Sequence, residues 1–360
     1  SALVVEPARE TDVTGKTVAA AKAFLATLDD AGRAKVGLPF NSDQKSKWSN
    51  FPVSDVPRNG LRLGNLNAAQ REAAMKLLAA ALSKQGLQKV KEIMEGDEVL
   101  KASEAGRGGP MGVGPPIGPP PGAGPPPGVG RPGGGPPGGP RGRPRFGHDE
   151  YYLALFGEPS LTDPWMIQFG GHHLAINLTI VGKYNVIAPS LPAAQPAVYK
   201  LNGETVRPLG RENDLAFALI NKLDAEQRKQ AILNYQVGNL VLGPGEDGKT
   251  IQPEGIKASA LNDSQQQMLL GLAHEWVGIL NDEAAAAKMA EIKANLPETW
   301  FAWSGPTTNG SGAYFRIQGP TLVIEYSPQG GMRGGGPDPN HIHTIYRDPT
   351  NDYGARLVRR

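Results

Sequence analysis

Four of the six histidines fall in two short segments, and because the chain contains no cysteine any metal is held by nitrogen and oxygen. One segment, residues 167–181, reads I-Q-F-G-G-H-H-L-A-I-N-L-T-I-V and holds His172 and His173; the other is His341-Ile342-His343. A spacing of two puts His341 and His343 on the same face of an extended chain, where both rings can reach one ion. Adjacent His172 and His173 on a strand must instead point to opposite faces. A bulge at the preceding Gly170-Gly171 would exchange their roles, so the candidate ligand set is His172, His173, His341 and His343. The competing reading is a polar strand with ordinary surface histidines, since short motifs recur by chance.

Other side chains near the second pair could complete such a site. Glu325 is a candidate fourth ligand or general base, Arg347 a clamp for an anionic group, and Tyr353 an acid or hydrogen-bond donor. Asp348 could orient a ligand histidine, although D-P-T-N-D-Y-G also reads as a turn in which Asp348 and Asp352 bond their own backbone. An all-imidazole set suits zinc or copper and does not separate them. Familiar alternatives fail: His274-Glu275 begins H-E-x-x-H, but Gly278 stands where the second histidine belongs. There is no G-x-S-x-G elbow, and Gly330 to Gly336 lacks the lysine and following helix of a phosphate loop.

The elements that must position these groups are legible from periodicity. Leu174, Ile176, Leu178 and Ile180 alternate with Ala175, Asn177 and Thr179, as a half-buried strand requires. A helix is expected from Thr14 with Val18, Phe24, Leu25 and Leu28 inward, and Leu3 to Val5 before it are expected to be extended. A second helix is capped at Asp29 or Asp30. A third follows the Asn67/Gln70 capping-box spacing, and Gly86 separates it from a fourth. The same syntax returns 195 residues on: Leu223-Asp224 echoes Leu28-Asp29, Gly255-Ile256-Lys257 echoes Gly60-Leu61-Arg62, and Asn262/Gln265 echoes Asn67/Gln70. Three matches at one offset predict an internal duplication. In the strands, Ile317 is matched to Ile167 and Leu322 to Leu174, offsets of 150 and 148. The even slip preserves facing, so Glu325 shares the face of Asn177 and His173.

The expected fold is α+β, with duplicated helical groups each followed by a small antiparallel sheet, the two sheets meeting at a shared cleft. Residues 1–105 form the first helical group, 106–147 an inserted tract, 148–210 the first β unit, 211–296 the second helical group and 297–360 the second β unit. The tract is nearly all glycine and proline with scattered arginines, a composition that predicts a disordered loop. A glycine-rich stretch before His341 is a candidate lid.

Composition narrows the partners. With 37 basic and 35 acidic residues the net charge is +2, which calls for neither nucleic acid nor an anionic membrane. No apolar run is long enough to span a bilayer, and no basic-then-apolar leader precedes Ser1, so a soluble or mature chain is expected. Oligomeric state is left open.

Three segments carry a resemblance: G-H-H-L-A-I-N, A-P-S-L-P-A-A-Q-P, and H-I-H-T-I-Y-R-D-P-T-N-D-Y-G. With W-S-N-F-P at Trp48 and N-G-L-R-L at Asn59, they resemble the bacterial family known as domain of unknown function 3500 over nearly the whole chain. The resemblance implies an exported protein, secreted or periplasmic, and supplies no reaction. Taken together, the residues predict a secreted metal-dependent enzyme that hydrolyses or cleaves a small-molecule or glycan substrate. A copper-dependent oxidoreductase and a non-catalytic metal- or partner-binding protein are the alternatives.

Overall fold

The computed structural model describes residues 5–106, 145–330 and 336–358. Most of the inserted tract, part of the candidate lid and the expected extension at Leu3 and Val4 lie outside the described residues. The first half runs α1 (Val13–Ala26), α2 (Asp30–Val36), β1 (Gly37–Leu38), β2 (Leu61–Arg62), α3 (Ala68–Ala81) and α4 (Lys84–Gly106). Strands β3 (Tyr152–Phe156), β4 (Trp165–Gly171), β5 (Leu174–Val181), β6 (Tyr184–Val186) and β7 (Ser190–Pro192) follow. After the small hairpin of β8 (Tyr199–Leu201) and β9 (Glu204–Val206) come α5 (Gly210–Lys222), α6 (Ala225–Ala231), β10 (Ile256–Lys257), α7 (Asp263–Val277) and α8 (Asp282–Ala294). The chain closes with β11 (Trp300–Ser304), β12 (Tyr314–Gly319), β13 (Leu322–Gly330), β14 (Pro337–Arg347) and α9 (Ala355–Val358).

Helix starts follow the sequence chemistry. Asn67 and Gln70 form a reciprocal capping box on α3, as Asn262 and Gln265 do on α7 and Asp224 and Gln227 on α6. The break between α3 and α4 comes at Leu82-Ser83 rather than at Gly86. Gly86 stays helical, and its missing side chain admits Ile279, whose carbonyl oxygen lies 2.4 Å from where a Cβ would stand.

The mixed α+β class holds, but the expected pair of small sheets is in fact one twelve-stranded, mostly antiparallel sheet. The joint is β7, which pairs with β5 on one side and β14 on the other. The three residues of β7 are too short for an apolar pattern to reveal this. Phe301 pairs with Ile317, and Leu153 with Phe169.

The faces of the sheet differ. Leu153, Leu155, Ile167, Phe169, Ile176 and Leu178 pack with Phe24, Leu77, Leu78 and the other helix residues in one continuous core. On the reverse face Trp48, Ala175, Leu191, Ala193 and Ile345 form a small separate cluster, with Leu240 and Tyr353 against it. That reverse face carries buried Gln168, Asn177, Arg316, Glu325 and Arg347, and the segments around Trp48 and 233–254 cover it. Buried polar groups there must be satisfied by the covering chain, which ties both segments down.

Candidate metal centre

Because β5 and β14 both run antiparallel to β7, they run parallel to each other and begin at the same end of the sheet. His173 immediately precedes β5, and His341 and His343 lie in the middle of β14, level with it across Ala193 and Ala194. Two strand spacings, roughly 10 Å, separate the backbones, a gap that imidazole side chains reaching from both sides can close.

His172 and His173 do not alternate along a strand as expected. They are the two central residues of the tight turn between β4 and β5, closed by the Gly171–Leu174 pair. His173 has φ +60°, a conformation side-chain-bearing residues seldom adopt. Three contacts hold it: His173 N–H donates to Asn50 O at 3.0 Å, Ala193 N–H donates to His173 O at 2.9 Å, and Tyr151 Oη donates to His172 O at 2.8 Å. Sequence reading went wrong here because hairpin turns favour glycine or asparagine at this position, and two histidines look like strand.

His341 is placed by a bulge. Pro328 faces Ile342 while Gln329 faces Asp338, so Pro339, Asn340 and His341 have no partner in β13. The chain there bonds instead to Ala194 and Ala197. Such a bulge re-aims a side chain that strand alternation alone would not place.

The result is a convergence of ring nitrogens. His173 Nε2 and His341 Nε2 are 3.0 Å apart, as are His341 Nε2 and His343 Nε2. A neutral ring nitrogen carries either one proton or one lone pair, so His341 Nε2 cannot hydrogen-bond both neighbours. Ligand nitrogens at about 2.0–2.1 Å from a tetrahedral ion would stand about 3.3 Å from one another, close to the spacing seen. The residues therefore fit a divalent metal. Burial holds His341 down to about 4, with the His172 charge adding to it. His173 and His343 are held well below the ordinary range, again mainly by burial and then by the neighbouring imidazoles. All three are thus neutral at pH 7, the form that binds metal.

His172 stands beside this group. Its ring lies against that of His173, centroids 3.7 Å apart, and its Nδ1 is 2.6 Å from Asp97 Oδ1. Asp97 also accepts from Gly147 N–H at 2.7 Å, and Phe146 covers the His172 ring. Asp97, His172 and His173 form a second set of potential ligand atoms lying close together. His172 is thus outside the three-histidine group but shares this second set with His173. Asn50, 3% exposed, has its Nδ2 3.2 Å from His343 Nε2 and 3.3 Å from Nδ1.

The remaining candidates lie farther along the covered face. Glu325 accepts from Val241 N–H at 2.9 Å, Leu242 N–H at 2.8 Å and Tyr314 Oη at 2.7 Å. Arg347 donates to Leu242 O at 2.7 Å and Gly243 O at 2.9 Å, and pairs with Asp247 and Asp352. Tyr353 Oη accepts from Trp48 at 2.7 Å and donates to Asp247 at 2.9 Å. Burial raises Asp352 to about 6 against the pull of Arg347, and pushes Tyr353 up as well. Asp348 is directed away, to Lys288 at 2.5 Å.

Two contributors escaped the sequence reading. Asp97 continues the apolar stripe Val90, Ile93, Met94 of α4, and an acid on such a stripe is a readable sign of a buried partner. Asn50 sits in the irregular W-S-N-F-P segment, where no periodicity gives facing.

Fold and site together describe an α+β protein with a buried three-histidine group that could bind a metal ion. The chain belongs to the family described as Protein of unknown function (DUF3500), whose model matches residues 10–355. No curated protein and no solved structure matches it. No helix among the described residues is long and apolar enough to cross a membrane.

Proposed function

We propose that this chain is a secreted metal-dependent enzyme in which His173, His341 and His343 hold one zinc ion and a polar, carbohydrate-like substrate is hydrolysed. The observation that carries the reading is the meeting of three Nε2 atoms at 3.0 Å contacts. Three protein ligands are the number that catalytic zinc sites use, with the fourth position left for water. The ion would supply Lewis acidity and a water ionised near neutral pH. His341 is the ligand that is only partly buried, which puts the approach on its side. In this reading Glu325, Arg347 and Tyr353 act by fixing residues 241–247 over the sheet, and Asp97 holds His172 against the His173 ring.

The test is metal analysis of purified protein followed by assays on polysaccharides with and without chelator. One equivalent of zinc per chain, lost in His341→Ala and His343→Ala, with chelator-sensitive hydrolysis, is expected. One equivalent of copper would transfer the site to oxidative chemistry, and a bound metal without turnover would make it structural. Protein that neither contains nor takes up metal ends the reading.

The two halves also support descent from one duplicated unit. Gln70 Nε2 donates to Thr27 O at 3.0 Å and Gln265 Nε2 to Lys222 O at 3.1 Å, and Arg33 and Arg228 reach Leu28 O and Leu223 O. Gly60 and Gly255 have φ +85° and +93°, each pressed against the first long strand of its half. An experimental structure whose two halves do not superpose strand for strand would refute this.

A further inference from the structure

The second set of potential ligands, Asp97, His172 and His173, is buried throughout. Asp97 is 1% exposed, His172 5% and His173 2%, and one ligand atom from each lies within 4.8 Å of the others. Asp97 comes from α4, whereas the two histidines form the turn between β4 and β5.

Two observations ask for a cation here. The Asp97 carboxylate meets no lysine or arginine among the described residues; its contacts are Gly147 N–H at 2.7 Å and His172 Nδ1 at 2.6 Å. Buried charges are ordinarily paired with an opposite charge or bound to a metal, and the other counter-charge within reach is a protonated His172 ring.

The second observation is at His173. Its Nε2 faces His341 Nε2 at 3.0 Å, so with an ion in the three-histidine centre its ring proton is on Nδ1. A metal-bound histidine nearly always donates that proton to a carboxylate, a carbonyl or a water. His173 Nδ1 is instead buried without a partner among the described residues, and an unmade buried donor is costly. A bare ion needs no solvent-lined cavity to meet such an atom, since it takes the gap between donors that stand about 2.0–2.2 Å from it.

We propose that Asp97, His172 and His173 Nδ1 hold a second divalent ion, zinc by its preference for imidazole and carboxylate, and that the His173 ring bridges it to the ion of the three-histidine centre. The first ion is that of the reading above, on which the bridge rests. The second ion takes Nδ1 of His172, whose ring proton moves to Nε2. It also displaces the Nδ1 proton of His173 to solvent, leaving that ring an imidazolate with one ion on each nitrogen. Because a proton must leave, the second ion binds more weakly than the first and is filled only when metal is added.

The test starts from protein that carries one equivalent of zinc and titrates it with zinc in a calorimeter. One further equivalent is expected, abolished by Asp97→Asn and by His172→Asn, each of which keeps the first. Copper(II) gives a reading that needs no variant. Two copper(II) ions joined through one imidazolate couple antiferromagnetically, so at low temperature the second equivalent should remove most of the paramagnetic resonance signal of the first. No uptake beyond one equivalent, a further equivalent that both variants retain, or two copper signals that simply add would each overturn the proposal. Protein that binds no metal at all ends the three-histidine reading with it, whereas binding that stops at one equivalent ends the second ion alone.

Discussion

The turn between β4 and β5 and the turn between β12 and β13 are both two-residue hairpin loops, but only the first holds a side-chain-bearing residue at positive φ, His173. Gly171 pairs with Leu174 across His172-His173, and Gly319 pairs with Leu322 across Pro320-Thr321. The first also carries side chains that could bind a metal, and it lies toward His341 and His343 of β14. The second turn lies at the opposite end of the sheet, where Thr321 O accepts from Lys288. The comparison teaches that the hairpin supplies a position and that the neighbouring strand decides whether the position can do chemistry.

The strongest way to break the comparison is to exchange the turns. His173→Thr should lower metal affinity more than the 10–100-fold typical of losing an outer partner, because a ligand itself is removed. Thr321→His should gain no metal, since no H-x-H faces that turn; calorimetric titration with zinc measures both. Uptake by Thr321→His would show that the turn alone suffices.

Next in size is the effect of metal on the native protein. At a free zinc concentration about 100 times Kd, unfolding should cost about 2.7 kcal/mol more, read as a higher melting temperature that His343→Ala abolishes. An equal shift in that variant would place the ion elsewhere. A smaller change is expected from Asn50→Ala, about tenfold in affinity, because Asn50 contacts the His343 ring without being a ligand.

The remaining effect is on pH. Burial lowers the folded-state values of His173, His341 and His343 below the ordinary 6.5, so between pH 6.5 and about 4 the unfolded chain binds protons that the folded chain refuses. Metal-free protein should therefore be most stable above pH 6.5, lose stability on acidification, and level off once the folded rings titrate. Denaturant midpoints across this range in wild type and His341→Ala would test it, and parallel curves would refute it.

These contrasts show what was legible in the chain. Helix caps and apolar alternation were readable because each depends on residues a few positions apart, as at Asn67/Gln70 and Leu174–Ile180. The metal set was readable as residue types, since histidines are few and cysteine is absent. The geometry was not. The facing of His173 depends on a positive φ held by Asn50 and Ala193, and that of His341 on a bulge defined by distant Gln329 and Asp338. The joining of the sheets rests on three residues of β7, a length at which pattern carries no information.

The cover over the reverse face has a consequence for how that face can open. Arg347, 2% exposed, is held by two carbonyls of the 241–247 segment and by Asp247. Lifting that segment would break all of these charge-assisted contacts together and leave Asp352 as the remaining partner of the guanidinium. Residues 241–247 and the sheet beneath them should therefore open together.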